Sequence, residues 1–128
     1  MKVIQELVAY FERRRKLSPT QIDRLLRQGF LATDGPRNMQ GLCDHVDETY
    51  YFRVQGEDIG PVWGTDVYTA DSALAAAALH AGAVEAGESA VVRVTVVAPL
   101  RLYAGSTRNG VTTRNFGPYG TAYRVERV

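Results

Sequence analysis

Cysteine is nearly absent from this chain. Cys43 is the one thiol in 128 residues, so no disulfide can close within it. Charge of one sign is lacking too. The formal net charge is +1, which argues against a partner held by bulk electrostatics, so no nucleic-acid role is expected. No apolar run has the length of a transmembrane segment. Met1 to Lys16 lacks the order of a signal peptide. Glu6 and Glu12 interrupt its apolar part, and the basic run follows that part instead of preceding it. With a lone thiol and no leader, a cytoplasmic location is the expectation. What remains is ordinary: 45% hydrophobic and 23% charged residues, the composition of a globular domain with a core. The length fits one domain plus an appendage.

The charge that is present is unevenly placed. Residues 1–31 carry a net +4 and residues 32–128 a net −3, which marks a boundary near residue 32. Before it, the spacing predicts two helices. Ile4, Leu7, Val8 and Phe11 recur at i, i+3, i+4 and i+7. Arg13, Arg14, Arg15 and Lys16 then suit a helix C-terminus. Ser18, Pro19 and Gln21 read as a helix start, with Ile22, Leu25 and Leu26 on the apolar side and Gly29 as the stop. Two short helices bury too little to stand alone. They are expected to form a helical hairpin that mediates oligomerisation or docks on a protein partner. Residues 32–41, with Asp34-Gly35-Pro36, Asn38 and Gly41, read as a linker.

From residue 42 the periodicity becomes that of a mixed domain. Thr49 to Gln55, Val62 to Tyr68 and Ala90 to Ala98 are strand-like. In the last, Val92, Val94 and Val96 share a face opposite Arg93 and Thr95. Leu100 to Tyr103, Val111 to Thr113 and Thr121 to Arg127 are shorter candidates. Between them Ala70 to Ala81 predicts one helix, capped by Thr69 or Asp71 and ended by Gly82. It is apolar almost all round, so it is expected to be buried on most sides. The expected class is α+β: a central buried helix wrapped by irregular antiparallel strands, preceded by the helical hairpin.

Few residues offer chemistry. His80 shares its element with Asp71 and Ser72, but eight helical positions separate Ser72 and His80 by about 12 Å along the axis. They cannot form a triad there. His80 reads as a structural histidine bonded to a loop carbonyl. Cys43 and His45 would point to one side of an extended backbone. With no CxxC or HxxxH pair, no metal and no cofactor is expected. The loop Gly105 to Gly110 holds the Asn109-Gly110 turn signal. It also holds Ser106, Thr107 and Arg108, which could present N–H groups and a guanidinium to an anion. Trp63, Tyr68, His80 and Tyr103 are its candidate neighbours in a ligand groove, or else core.

The blocks Gly64-Thr65, Tyr68, Asp71-Ser72, Ala77-Ala78, His80-Ala81-Gly82, Gly105-Ser106 and Arg108-Asn109-Gly110, in this order and spacing, resemble an LCCL domain over about residues 42–128. The resemblance implies a helix wrapped by β-sheet. It implies a binding module and no enzymatic activity, with lipid or lipopolysaccharide ligands suggested for the family. Animal members are extracellular and carry disulfides. Here Ala75 stands in place of the family's helix cysteine, and Cys43, matched to its first cysteine, has no partner. The expected function is therefore a non-enzymatic binding module for a protein, lipid or glycan-type ligand. A structural component of a homo-oligomer or filament is the alternative. A hydrolase-like enzyme using His80 and Arg108 is the third reading.

Overall fold

The computed structural model describes residues 32–128 together with Thr20, Gln21 and Arg24. Among these the chain forms β1 (Thr33–Asp34), β2 (Thr49–Gln55), β3 (Gly64–Thr65), β4 (Val67–Thr69), α1 (Leu74–His80), β5 (Ser89–Val97), β6 (Thr107–Arg108), β7 (Val111–Thr112) and β8 (Ala122–Arg127). β5 is the spine because its alternation is the longest. It pairs antiparallel with β2 from Thr95↔Thr49 to Ser89↔Gln55, and with β8 from Val97↔Ala122 to Val92↔Arg127. The six-stranded sheet runs β1-β2-β5-β8-β4-β3, antiparallel except for β1 on β2.

Register turns the alternation into rows. Tyr50, Val94 and Val125 lie side by side across three strands, and Val96, Tyr123 and Tyr68 form the next row. All six are buried. The opposite face is polar, with Arg93 held 3.6 Å from Glu126 and over the Tyr51 ring. α1 packs against β2, β7 and β8. Six of its seven residues are buried. Its alanines allow this, since side chains this small let strands come close to the helix axis. The helix ends in a Schellman motif: Ala83 donates to the Ala78 carbonyl and Gly82 to that of Leu79, with Gly82 at φ +78°.

The helix-wrapped α+β expectation is corrected by this arrangement. The described residues hold eight strands and little helix, and the helix of this region, α1, has seven residues instead of the twelve of Ala70 to Ala81. The extra residues serve the sheet. Thr69 closes β4 against Ala122, the Ala70 amide bonds the Thr121 carbonyl, and Ala73 is extended at φ −61°, ψ 121°. No side chain caps the helix, so neither Thr69 nor Asp71 has that role. The expected strand Val62 to Tyr68 is a small hairpin turning at Asp66, which takes φ +66°. Residues read as a linker are built into the domain: Thr33 and Asp34 pair with β2, and Met39 is wholly buried. The helical hairpin expected over 1–31 lies outside the described residues, apart from Thr20, Gln21 and Arg24, which are helical.

Candidate functional site

Beneath the β6–β7 hairpin runs a hydrogen-bond chain whose polarity can be worked out from its end. Thr65 Oγ1 lies 2.8 Å from the Ala104 carbonyl, which can only accept, so Thr65 donates there. Ser106 Oγ, 2.6 Å from Thr65 Oγ1, must then donate to it. His80 Nε2 lies 3.1 Å from Ser106 Oγ, whose proton is spent, so Nε2 carries the hydrogen. Nδ1 is left as an acceptor, and the Tyr68 hydroxyl donates to it over 2.9 Å. The chain therefore fixes one neutral tautomer of a fully buried histidine. Burial lowers the His80 pKa below 6.5, and the Arg108 guanidinium adds to this, against a backbone hydrogen bond at Ser106 and the Asp66 carboxylate. Burial is also the main cause that lifts the Tyr68 phenol to about 12.

This polarity bears on catalysis. Ser106 does sit within reach of His80, a contact between separate elements that helix spacing could not reveal. Yet Nε2 donates to Ser106, so it cannot take the serine proton as a general base must. Nδ1 faces a phenol where a triad has a carboxylate. Arg108 is held by Asp66 at 2.7 Å. The ring is bonded to two hydroxyls, and a backbone hydrogen bond at Ser106 in the loop also acts on it.

The rest of the Gly105–Gly110 loop is equally engaged. Thr107 Oγ1 meets Thr112 Oγ1 at 2.9 Å, and the Asn109 side-chain amide donates to the His80 carbonyl at 3.0 Å. Ser106, Thr107, Arg108 and Asn109 thus each have an intramolecular partner. Tyr68 and Tyr103 are wholly buried. The Tyr103 hydroxyl donates to the Tyr119 carbonyl and accepts from the Leu100 amide. Both belong to the core, not to a groove. Cys43 is buried and His45 exposed. Among the described residues no three His, Cys, Asp or Glu side chains gather as metal ligands. Burial and the Asp44 and Glu48 carboxylates push the Cys43 thiol up to about 11. The candidate assembly face Ile4, Leu7, Val8, Phe11, Ile22, Leu25 and Leu26 lies outside the described residues.

Of the candidate aromatics, Trp63 alone reaches the surface, and it does so in company. Its backbone pairs with Arg114, and its amide is fixed by Ser72 Oγ at 3.0 Å. Its ring meets the edge of Phe116, with centroids 6.2 Å apart and planes at 66°. Phe116 meets Tyr119 in the same manner, at 5.9 Å and 73°. The Gln40 amide reaches the Tyr119 hydroxyl at 3.4 Å. Phe116 stays 42% exposed despite its two ring neighbours. Phe116 and Tyr119 were not singled out from the sequence, because Asn115-Phe116-Gly117-Pro118-Tyr119 has the composition of a turn. Two aromatics flanking a Gly-Pro step, outside any alternating run, were the available signal.

Comparison with known proteins points one way. The LCCL domain family matches residues 44–122. The human protein named cysteine-rich secretory protein LCCL domain-containing 2 is 36% identical over 70 residues. That match covers 53% of this chain and 14% of the human protein, so the chain spans a small part of its relative's length.

Proposed function

The chain belongs to the LCCL domain family, a family of binding modules, and from that premise we propose that it is a non-enzymatic recognition module that holds a protein partner on the row Trp63–Phe116–Tyr119. The observation that carries this reading is the row itself. Three aromatic rings reach the surface, and the middle one touches both others and is 42% exposed. Trp and Tyr are favoured where binding energy concentrates, because each presents a large, stiff apolar body with a polar tip.

The ring geometry supports a protein as the ligand. Successive planes turn by 66° and 73°, so the rings alternate in direction and offer clefts between edges and faces. Side chains of a protein fit such relief better than a sugar ring, which stacks on a flat face. Leu100 and Leu102, also exposed, add apolar surface on the segment preceding Tyr103. The lone buried thiol fits a reducing compartment, and a cytoplasmic location is part of the proposal.

The test is capture from host extract by the purified chain, compared with Phe116→Ser, beside a glycan array and anionic vesicles. The reading expects a defined protein lost with Phe116→Ser while the fold is kept. If the partner is a second copy, sizing against concentration will show it. Binding to glycan or vesicle alone, or capture indifferent to Phe116→Ser, contradicts it.

A further inference from the structure

Two Gly-Pro steps, Gly35-Pro36 and Gly60-Pro61, line one cleft of about 840 Å³. Both are fixed in place. A Cβ on Gly35 would lie 3.0 Å from Val54 Cγ2, and one on Gly60 would lie 3.0 Å from Ala73 Cβ. Gly60 also takes φ +95°, a conformation that favours glycine. Each loop is tied to the start of α1. Ala73 donates to the Pro61 carbonyl and Leu74 to the Arg37 carbonyl, both at 2.9 Å. These bonds use up two amides at the helix start, so those amides are not available to an anion. The cleft is already formed, as small-molecule sites usually are.

The charge lining this cleft is not balanced within it. Arg53 donates to the Ala32 carbonyl and stands 3.5 Å from Asp34. Carboxylates outnumber guanidiniums in the lining by three to two, and beside Arg37 and Glu57 the remaining charged residue is Asp71. Its Oδ1 is sealed from solvent and has no hydrogen-bond partner among the described residues. A buried carboxylate oxygen without a donor is costly. Asp71 is itself only partly buried and lines the cleft, so its charge can be met from there. Beside Asp71 the lining is aliphatic: Ala73, Ala75, Pro61 and Ile59, the last 58% exposed.

We propose that this cleft binds a primary ammonium group on an aliphatic stem, with the ammonium against Asp71 and the stem along Ile59, Pro61 and Ala75. A lysine side chain and a free alkyl diamine share that chemistry. This site is separate from the aromatic row and stands or falls without it.

The experiment is a titration of the full, isotope-labelled chain followed by amide NMR. The probes are N-acetyl-lysine amide, 1,5-diaminopentane and, as the uncharged control, 1,5-pentanediol. Both amines, or one of them, should shift the Ile59, Gly60, Asp71 and Ala75 signals saturably, while the diol leaves them in place. The tighter amine identifies the source, peptide or small molecule. Asp71→Asn keeps the shape and removes the charge, and should weaken amine binding about tenfold or more. If that variant does not fold, Ile59→Ser decides, since an exposed residue is replaced and the stem loses its wall. Equal response to diol and amine, no response to either amine, or unchanged binding in a folded Asp71→Asn or in Ile59→Ser overturns the proposal.

Discussion

Asn109 closes the C-terminal end of α1 from outside the helix, donating its side-chain amide to the His80 carbonyl over 3.0 Å. The residue takes φ +51° at the β6–β7 turn, a conformation that asparagine tolerates better than other side chains do. The turn and the helix end therefore depend on the same residue. Asn109→Gly keeps the conformation and loses the bond, so it should cost about 1 kcal/mol. Asn109→Ala loses the bond and strains the backbone, and should cost about 2 kcal/mol. Urea unfolding of both variants checks the order. If the alanine variant is the more stable one, the turn does not constrain this position.

The neutral, buried His80 makes stability depend on pH with a definite sign. Its folded pKa lies below the unfolded value of 6.5, so the unfolded chain binds the proton more readily. Stability is then full above 6.5 and falls as pH drops below it toward the folded pKa. Arg108, Asp66 and Tyr68 are the charged or titratable groups that act on the ring or bond it. Unfolding measured from about pH 7.5 to about pH 5.5 should show this fall. Nitrogen NMR should find the hydrogen on Nε2. Tyr68→Phe leaves Nδ1 buried without a donor and should cost about 1–3 kcal/mol. A hydrogen found on Nδ1 would contradict the derived chain.

Strands with long alternation were legible in the sequence, because period two follows directly from which face is buried. β5, β2 and β8 fall close to where Ala90 to Ala98, Thr49 to Gln55 and Thr121 to Arg127 place them. The helix start was not. Asp71 and Ser72 look like caps, but Ser72 Oγ instead bonds the Trp63 amide and Thr69 Oγ1, a use that only tertiary structure defines. The contact between His80 and Ser106 was invisible for the same reason. It joins residues 26 positions apart, and no local periodicity encodes it. Tyr103 illustrates the limit from the other side. An aromatic in an extended run reads alike as core or as groove, and its pairing with Phe116 and hydroxyl bonds decide for core.

Cys43 should be chemically silent in the folded protein. It is buried, and its pKa of about 11 leaves almost no thiolate at neutral pH. Iodoacetamide labelling should therefore follow global unfolding, rising only where urea opens the chain. Reductant should leave the unfolding midpoint unchanged, since no internal disulfide exists. Rapid labelling of the native protein would mean that the 43–48 segment opens locally.

The central claim is that recognition belongs to the aromatic row and that the Gly105–Gly110 loop is structural. Phe116→Ala and Arg108→Ala separate the two in a single comparison of partner retention from host extract, measured by quantitative mass spectrometry on variants shown to be folded. Arg108 forms an exposed ion pair with Asp66, so its loss should cost about 0.2–1 kcal/mol of stability and leave capture intact. Phe116→Ala should leave the fold in place and abolish capture of the same protein. Capture lost with Arg108→Ala and kept with Phe116→Ala would contradict the account and return the binding site to the loop.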